Sequence, residues 1–237
     1  MADLSKTRDR IAAMFDAIAP RYDFLNHLLS AGIDRVWRRR AIRSLELTGG
    51  ERVLDVCTGT ADLALAARLA HPVAARVVGV DFAQAMLRVG VEKIRRARLA
   101  GSVTLVRGDV TEMPLADRSF DAVTVAFGIR NVENAQAACR EMYRVLKPSG
   151  RFAVLEFAIP TAPALRGAYL WYFNHILPRV GRLVSRHDAA YGYLPASVSA
   201  FASPDEFVAI LQQSGFRDVS AVPLALGIVF LYTGRRS

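Results

Sequence analysis

Three places in this 237-residue chain carry residues that could do chemistry, each where an apolar run ends in an acid or a small polar residue. The first is Arg52-Val53-Leu54-Asp55-Val56-Cys57-Thr58-Gly59-Thr60-Ala61-Asp62, which continues into the helical pattern Leu63 to Leu69. The second is Arg76-Val77-Val78-Gly79-Val80-Asp81, and the third is Val103-Thr104-Leu105-Val106-Arg107-Gly108-Asp109-Val110. Each reads as a strand running into a turn. In an open α/β sheet such turns gather at one edge, where backbone N–H groups and helix N-termini can meet an anionic ligand. Asp55, Gly59 and Thr60 mark the first turn. Asp81 is suited to accept both hydroxyls of a ribose; its competing role is N-cap of a helix over 83–98. The ribose role is preferred because the first turn supplies the matching partner. Asp109 suits an adenine amino group, and the Val110 N–H suits a ring nitrogen.

The glycine count narrows the ligand. Only Gly59 stands where a dinucleotide fingerprint would want three glycines, and Cys57 and Ala61 occupy positions where a pyrophosphate needs close backbone approach. A ligand without a pyrophosphate fits better. S-adenosylmethionine is one, since its amino-acid end offers a carboxylate to the turn. Taken alone, the loop equally describes an ordinary strand-to-helix turn.

The elements that must position these residues follow from spacing. Phe120 to Ala126 is a fourth strand, followed by Phe127-Gly128-Ile129-Arg130-Asn131 and a helix over 133–146. Lys147-Pro148-Ser149-Gly150 then turns into a fifth strand, Arg151 to Phe157, carrying Glu156. Strands alternating with helices predict a parallel, doubly wound, Rossmann-like α/β sheet. After a surface helix at Phe207 to Ser214, the runs Asp218 to Pro223 and Gly227 to Thr233 read as a terminal hairpin. As a seven-stranded sheet ending this way, the fold resembles class I S-adenosylmethionine-dependent methyltransferases rather than dinucleotide-binding domains. One domain, 1–237, is expected.

Two segments decorate that sheet. Residues 1–46 read as a helical substrate cap, with Ile11, Met14, Phe15 and Ile18 forming an apolar stripe before Pro20 interrupts it. Tyr22, Asp23, Asn26 and His27 lie among its apolar residues. Around Trp37, Arg35, Arg38, Arg39, Arg40 and Arg43 make a basic helix that suits an anionic lipid surface, although a solvated face is the simpler reading. Residues 159–203 concentrate Tyr169, Trp171, Tyr172, Phe173, His175, Tyr191 and Tyr193. That composition suits a helical lid that excludes water, or else a core helix and loop.

Composition sets outer limits. The formal charge of +9 raises nucleic acid or anionic membrane as partners, but only three of the 31 basic residues are lysine, as general arginine-rich usage would also give. At 52% hydrophobic residues, with mean hydropathy +0.21, the chain has apolar material for a greasy pocket. Cys57 and Cys139 lack disulfide or metal spacing, so a reducing cytosol and no metal are expected. The polar N-terminus shows no secretory leader. The run Ala221 to Tyr232, broken by Pro223 and Gly227, is too short to span a bilayer. The chain is therefore expected to be cytoplasmic, at most peripheral on the membrane face.

Longer motifs are more specific than the glycine loop. Tyr22-Asp23-x-x-Asn26 with Ser30-x-Gly32 and Trp37, Phe127-Gly128-Ile129-Arg130-Asn131-Val132, and Arg144-Val145-Leu146-Lys147-Pro148-Ser149-Gly150 through Leu155-Glu156-Phe157 together resemble the C-methyltransferases of ubiquinone and menaquinone biosynthesis. Similarity continues through Leu177-Pro178-Arg179-Val180-Gly181, Tyr191-x-Tyr193-Leu194 and Gly215-Phe216. The resemblance implies methyl transfer from S-adenosylmethionine to a ring carbon of a polyprenylated quinol: demethylmenaquinol, or else the 2-polyprenyl-6-methoxy-1,4-benzoquinol precursor of ubiquinone. Thr60, Asp81, Asp109 and Val110 map onto family cofactor contacts, and Ala126 onto one that is often serine. Cys57-Thr58 and Ala61 depart from the more glycine-rich family loop. Arg130 is the candidate to orient or stabilise a phenolate; its alternative is a structural ion pair with Glu156 or Asp121. Tyr22, Asn26, His175, Tyr191 and Tyr193 are candidates for the quinol head.

Rival classes are a nucleic-acid or small-phenol methyltransferase, a dinucleotide-dependent reductase and a non-catalytic binding module. Ala126-Phe127-Gly128-Ile129 stands where base N-methylation usually uses an Asn/Asp-Pro-Pro-aromatic loop, so nucleic acid is not expected as a partner. A homodimer and a monomer are both compatible with the sequence.

Overall fold

A computed structural model describes residues 7–70, 76–176, 179 and 188–237. Its frame is one seven-stranded sheet in the order β3-β2-β1-β4-β5-β7-β6. In chain order the strands are β1 (Arg52–Val56), β2 (Arg76–Asp81), β3 (Val103–Arg107), β4 (Phe120–Ala126), β5 (Leu146–Phe157), β6 (Phe216–Leu224) and β7 (Val229–Arg236). The first five pair in parallel, whereas β7 runs antiparallel between β5 and β6.

Alternation along each strand builds two cores. Val53, Ala122 and Ala153 face one side with helices α2 (Asp34–Ser44) and α3 (Asp62–Ala70). Their neighbours Leu54, Val123 and Val154 face the other, against α5 (Ala135–Val145) and α8 (Pro204–Gln213). This is the period of two expected of a sheet covered on both faces. The remaining helices are α1 (Arg8–Leu29), α4 (Gln84–Arg96), α6 (Pro163–Trp171) and α7 (Asp188–Ser199).

Three local expectations need correction. Pro20 does not interrupt α1, which runs through it; Pro20 is exposed, so water can reach the carbonyl one turn back that loses its donor. The fifth strand begins at Leu146 rather than Arg151, because Lys147 to Gly150 form an irregularity inside it, with Leu146 already opposite Phe120. The third strand closes at Arg107, which leaves Asp109 and Val110 in the following turn.

Candidate active site

The first turn is held from below and beside. The Asp55 carboxylate is buried and accepts hydrogen bonds from the hydroxyls of Thr58, at 2.6 Å, and Thr124, at 2.8 Å, tying the turn to β4. Burial pushes its pKa up to about 6 despite those two bonds. Gly59 has φ +54°, and Cys57 and Ala61 also lie in the left-handed region, at 54° and 66°. The backbone therefore keeps a tight loop even where glycine is replaced, at the strain such positions carry. Gly128 is required by close approach, since a Cβ there would lie 2.3 Å from Cys57 Cβ. Burial and the nearby Asp81 and Asp55 carboxylates push the Cys57 thiol well above its usual range, so it is no nucleophile.

Asp81 is bound by backbone N–H groups on both sides of the turn. One oxygen accepts the Gly59 N–H at 2.8 Å and the other the Ala83 N–H at 2.9 Å, at the start of α4. Burial raises its pKa in spite of those bonds. Asp109 accepts the Thr111 N–H and hydroxyl through one oxygen, and its other oxygen lies 3.7 Å from Arg8. Asp109 and Val110 border a cavity of about 350 Å³ with Phe82, Val132 and Asn131. The Asn131 Oδ1 is buried without a hydrogen-bond partner among the described residues. An aromatic ring, a part-exposed carboxylate and an orphan acceptor suit an adenine with its exocyclic amine, so these residues fit an adenosyl ligand. Ala126, half-buried at the end of β4, pairs with Leu155.

α1 lies across all three turns. Along one face Arg8 reaches Asp109, Asp16 accepts the Ala85 N–H of α4 at 2.7 Å, and Asp23 accepts from the Thr60 hydroxyl and from Lys93, the latter at 2.6 Å. Thr60 is thus engaged by α1 rather than left open. Lys93 also bonds Asp62. The adjoining face of α1, with Phe15, Ile18, Tyr22, Leu25 and Asn26, borders a second cavity of about 290 Å³.

That second cavity is walled by Trp37, Phe127, Phe157, Tyr169 and Tyr193 and holds two guanidinium groups, Arg38 and Arg130. Arg130 sits in the short 3₁₀ turn Ile129–Asn131 after β4, 5% exposed, and pairs with Glu156 at 2.8 Å; Glu156 is fully buried. Of the two partners considered for Arg130, the structure provides Glu156. Asp121 instead accepts from Lys147 at 2.7 Å. Tyr22, Asn26 and Tyr193 come together on this cavity. His175 does not: it is exposed in the π-helical turn Tyr172–Ile176, stacked on Trp171 at 5.8 Å. Tyr191 falls in α7, and its side chain lies outside the described residues. Burial raises the pKa of Tyr22, against the Asn26 hydrogen bond and the charges of Arg130 and Arg38, and burial likewise raises Tyr193. The raised values keep these phenols protonated near neutrality, so each has an O–H to donate.

The sequence reading missed one group outright. Asp34 is buried on α2, accepting from Ser30 at 2.8 Å, from His27 at 2.9 Å and from Arg38. Burial would raise its pKa, but the Arg38 guanidinium and the Ser30 and His27 bonds outweigh this and hold it below the usual carboxylate range. The available signal was helical: Asp34 and Arg38, four apart, lie on the face that continues through the buried Ala41, Ile42 and Leu45. His27, Asp34 and Asp62 also converge, yet Arg38 already neutralises their centre.

The strand order with its antiparallel β7 defines the class I S-adenosylmethionine-dependent methyltransferase fold. Among solved structures, a SAM-dependent methyltransferase from Aquifex aeolicus superposes with TM-score 0.62 at 18% identity over 84% of this chain and 89% of that one. The cyclase SpnF superposes with TM-score 0.69 at 18% identity, covering 95% of this chain and 94% of the other, so the fold alone does not fix the reaction. The sequence is more specific. Residues 1–236 match the model of the ubiE/COQ5 methyltransferase family, and the chain belongs to that family. It is 52% identical to the Ubiquinone/menaquinone biosynthesis C-methyltransferase UbiE of Syntrophotalea carbinolica, over 94% of this chain and 93% of that protein. It is 41% identical to the Demethylmenaquinone methyltransferase of Porphyromonas gingivalis, over 95% and 92% of the two chains. Among the described residues, no helix is long and apolar enough to cross a membrane.

Proposed function

We propose that this chain methylates a ring carbon of a prenylated quinol, with demethylmenaquinol as the preferred substrate and the methoxy-benzoquinol precursor of ubiquinone as the alternative. The observation that carries this reading is the aromatic-walled cavity with buried Arg130, beside the turns that suit an adenosyl ligand. S-adenosylmethionine, when bound, supplies an electrophilic methyl group. The turn of Gly59 and Thr60 would border its amino-acid end, with Thr60 exchanging Asp23 for the ligand, while Asp81 would hold its ribose and Asp109, Val110 and Asn131 its adenine.

The chain's own part is positioning and charge. A quinol carbon becomes a strong nucleophile as the adjacent hydroxyl gives up its proton, so donors that favour the oxyanion raise the rate. Arg130 and the protonated phenols of Tyr22 and Tyr193 are such donors. Glu156 neutralises much of the Arg130 charge, so Arg130 is expected to act as an oriented donor rather than a free cation. Packed aromatic walls exclude water and fix the ring's approach. Outside the cavity, exposed Arg35, Arg39 and Arg43 flank a groove beside exposed Leu69, a surface suited to an anionic bilayer that would present the prenyl tail. Co-sedimentation with anionic but not neutral vesicles tests that contact.

The decisive assay gives purified protein labelled cofactor with demethylmenaquinol, the benzoquinol precursor, a small catechol and RNA. Label in the naphthoquinol is expected. Turnover of RNA or catechol alone overturns the reading.

A further inference from the structure

A buried donor with no acceptor is costly, and this cavity contains one. Arg38 is 8% exposed, and its Nε, buried, has no hydrogen-bond partner among the described residues. Its other nitrogens are committed: one bonds Asp34 and the other lies 3.7 Å from the Asp62 carboxylate. The Tyr193 hydroxyl, on the same cavity, is also buried without a partner.

Arg38 and Arg130 line the same cavity. The Arg38 guanidinium lies 5.8 Å over the Phe127 ring, Phe127 stacks on Phe157 at 4.5 Å, and the Arg130 guanidinium lies 5.5 Å over Phe157. Each ring of the stacked pair thus has a guanidinium against it. Tyr22 stands where both charges act on its phenol. A flat aromatic ligand laid along this wall meets a donor at either end.

We propose that Arg38 is the second oxygen anchor of the cavity, its Nε–H donating to the ring oxygen para to the one that faces Arg130. The ligand class it selects is an aromatic ring with oxygens at opposite ends, as against a monophenol. This rests on the quinol reading above. A site built to hydrogen-bond an oxygen discriminates against the analogue lacking it, because the analogue leaves the buried donor unpaired.

The test compares a 2-prenyl-1,4-naphthalenediol with the 1-hydroxy analogue lacking the far oxygen, on wild type and on Arg38→Lys, which keeps a cation beside Asp34 but removes the Nε fork. Ligand binding is followed by quenching of Trp37, which borders the cavity, and turnover by label transfer. Wild type is expected to bind the diol about tenfold or more tightly than the mono-ol. Arg38→Lys is expected to lose that preference and raise the diol KM, while cofactor affinity is unchanged. An Arg38→Lys protein that keeps the wild-type preference overturns the assignment. So does a wild type without any preference, which needs no variant to fold. If wild type methylates no prenylated quinol at all, the function proposed above falls and takes this inference with it; turnover without the oxygen preference removes the Arg38 assignment alone.

Discussion

The two cavities meet at α1 but are built on opposite terms. Around the strand tips nearly every polar group already has a partner within the chain: Gly59 with Asp81, Thr60 with Asp23, Asp55 with Thr58 and Thr124, Asp109 with Thr111. In the aromatic cavity Arg38 Nε and the Tyr193 hydroxyl are buried without partners among the described residues. A turn that satisfies itself holds its shape before any ligand arrives, whereas unpaired buried donors lower the stability of the empty protein and reward an oxygen-bearing guest. Preorganisation dominates the first region, where Asn131 Oδ1 is the orphan, and selectivity for ring oxygens belongs to the second.

That contrast breaks most severely at Glu156, where one cavity cation is neutralised. Glu156→Gln leaves Arg130 buried without its counter-ion and is expected to cost about 3–5 kcal/mol of stability, read from urea unfolding. A loss under about 1 kcal/mol would mean that Arg130 is free to re-pair and that the cavity is less rigidly built than described.

Next in size is the support beneath the first turn. A carboxyl whose folded pKa is about 6, above its ordinary 3.8, favours folding below about pH 4 and surrenders that advantage as pH rises through 6. Asp55→Asn removes this dependence, so the variant should gain about 2–3 kcal/mol relative to wild type between about pH 4 and pH 7. The rise at Asp81 acts in the same direction in both proteins and cancels from the difference. Unfolding midpoints across that range that move in parallel would show Asp55 to be solvated.

The smallest effect belongs to the joint between the regions. Asp23→Asn weakens the bridge from α1 to Thr60 and Lys93, a part-buried ion pair worth about 1 kcal/mol or less. Calorimetry with S-adenosylmethionine should show a change in affinity of about fivefold or less. A change a hundredfold larger would make α1 part of the cofactor site itself.

How much of this was readable beforehand follows the same division. β1, β2 and β4 lie where the apolar runs placed them, because strands buried on both faces must be continuously apolar. Asp81, the acid that ends β2, was legible for the same reason, since a charge ending such a run falls at the strand tip. Asp34 and Arg38 were not, because the arginines of α2 looked like one solvated charge cluster. Only tertiary packing shows Arg38 turned inward beside Phe127 while Arg39, Arg40 and Arg43 remain outside. His175 failed in the opposite way: an aromatic-rich neighbourhood suggested enclosure, but its ring stacks on Trp171 in solvent.

One helix, finally, supplies a wall to each compartment. Arg8, Asp16 and Asp23 reach the turns at the strand tips, while Phe15, Tyr22 and Leu25 border the aromatic cavity. On the proposed function, a methyl donor at the strand tips and a quinol in the adjoining cavity must both be present for direct transfer, so steady-state plots at varied concentrations of both should intersect instead of running parallel.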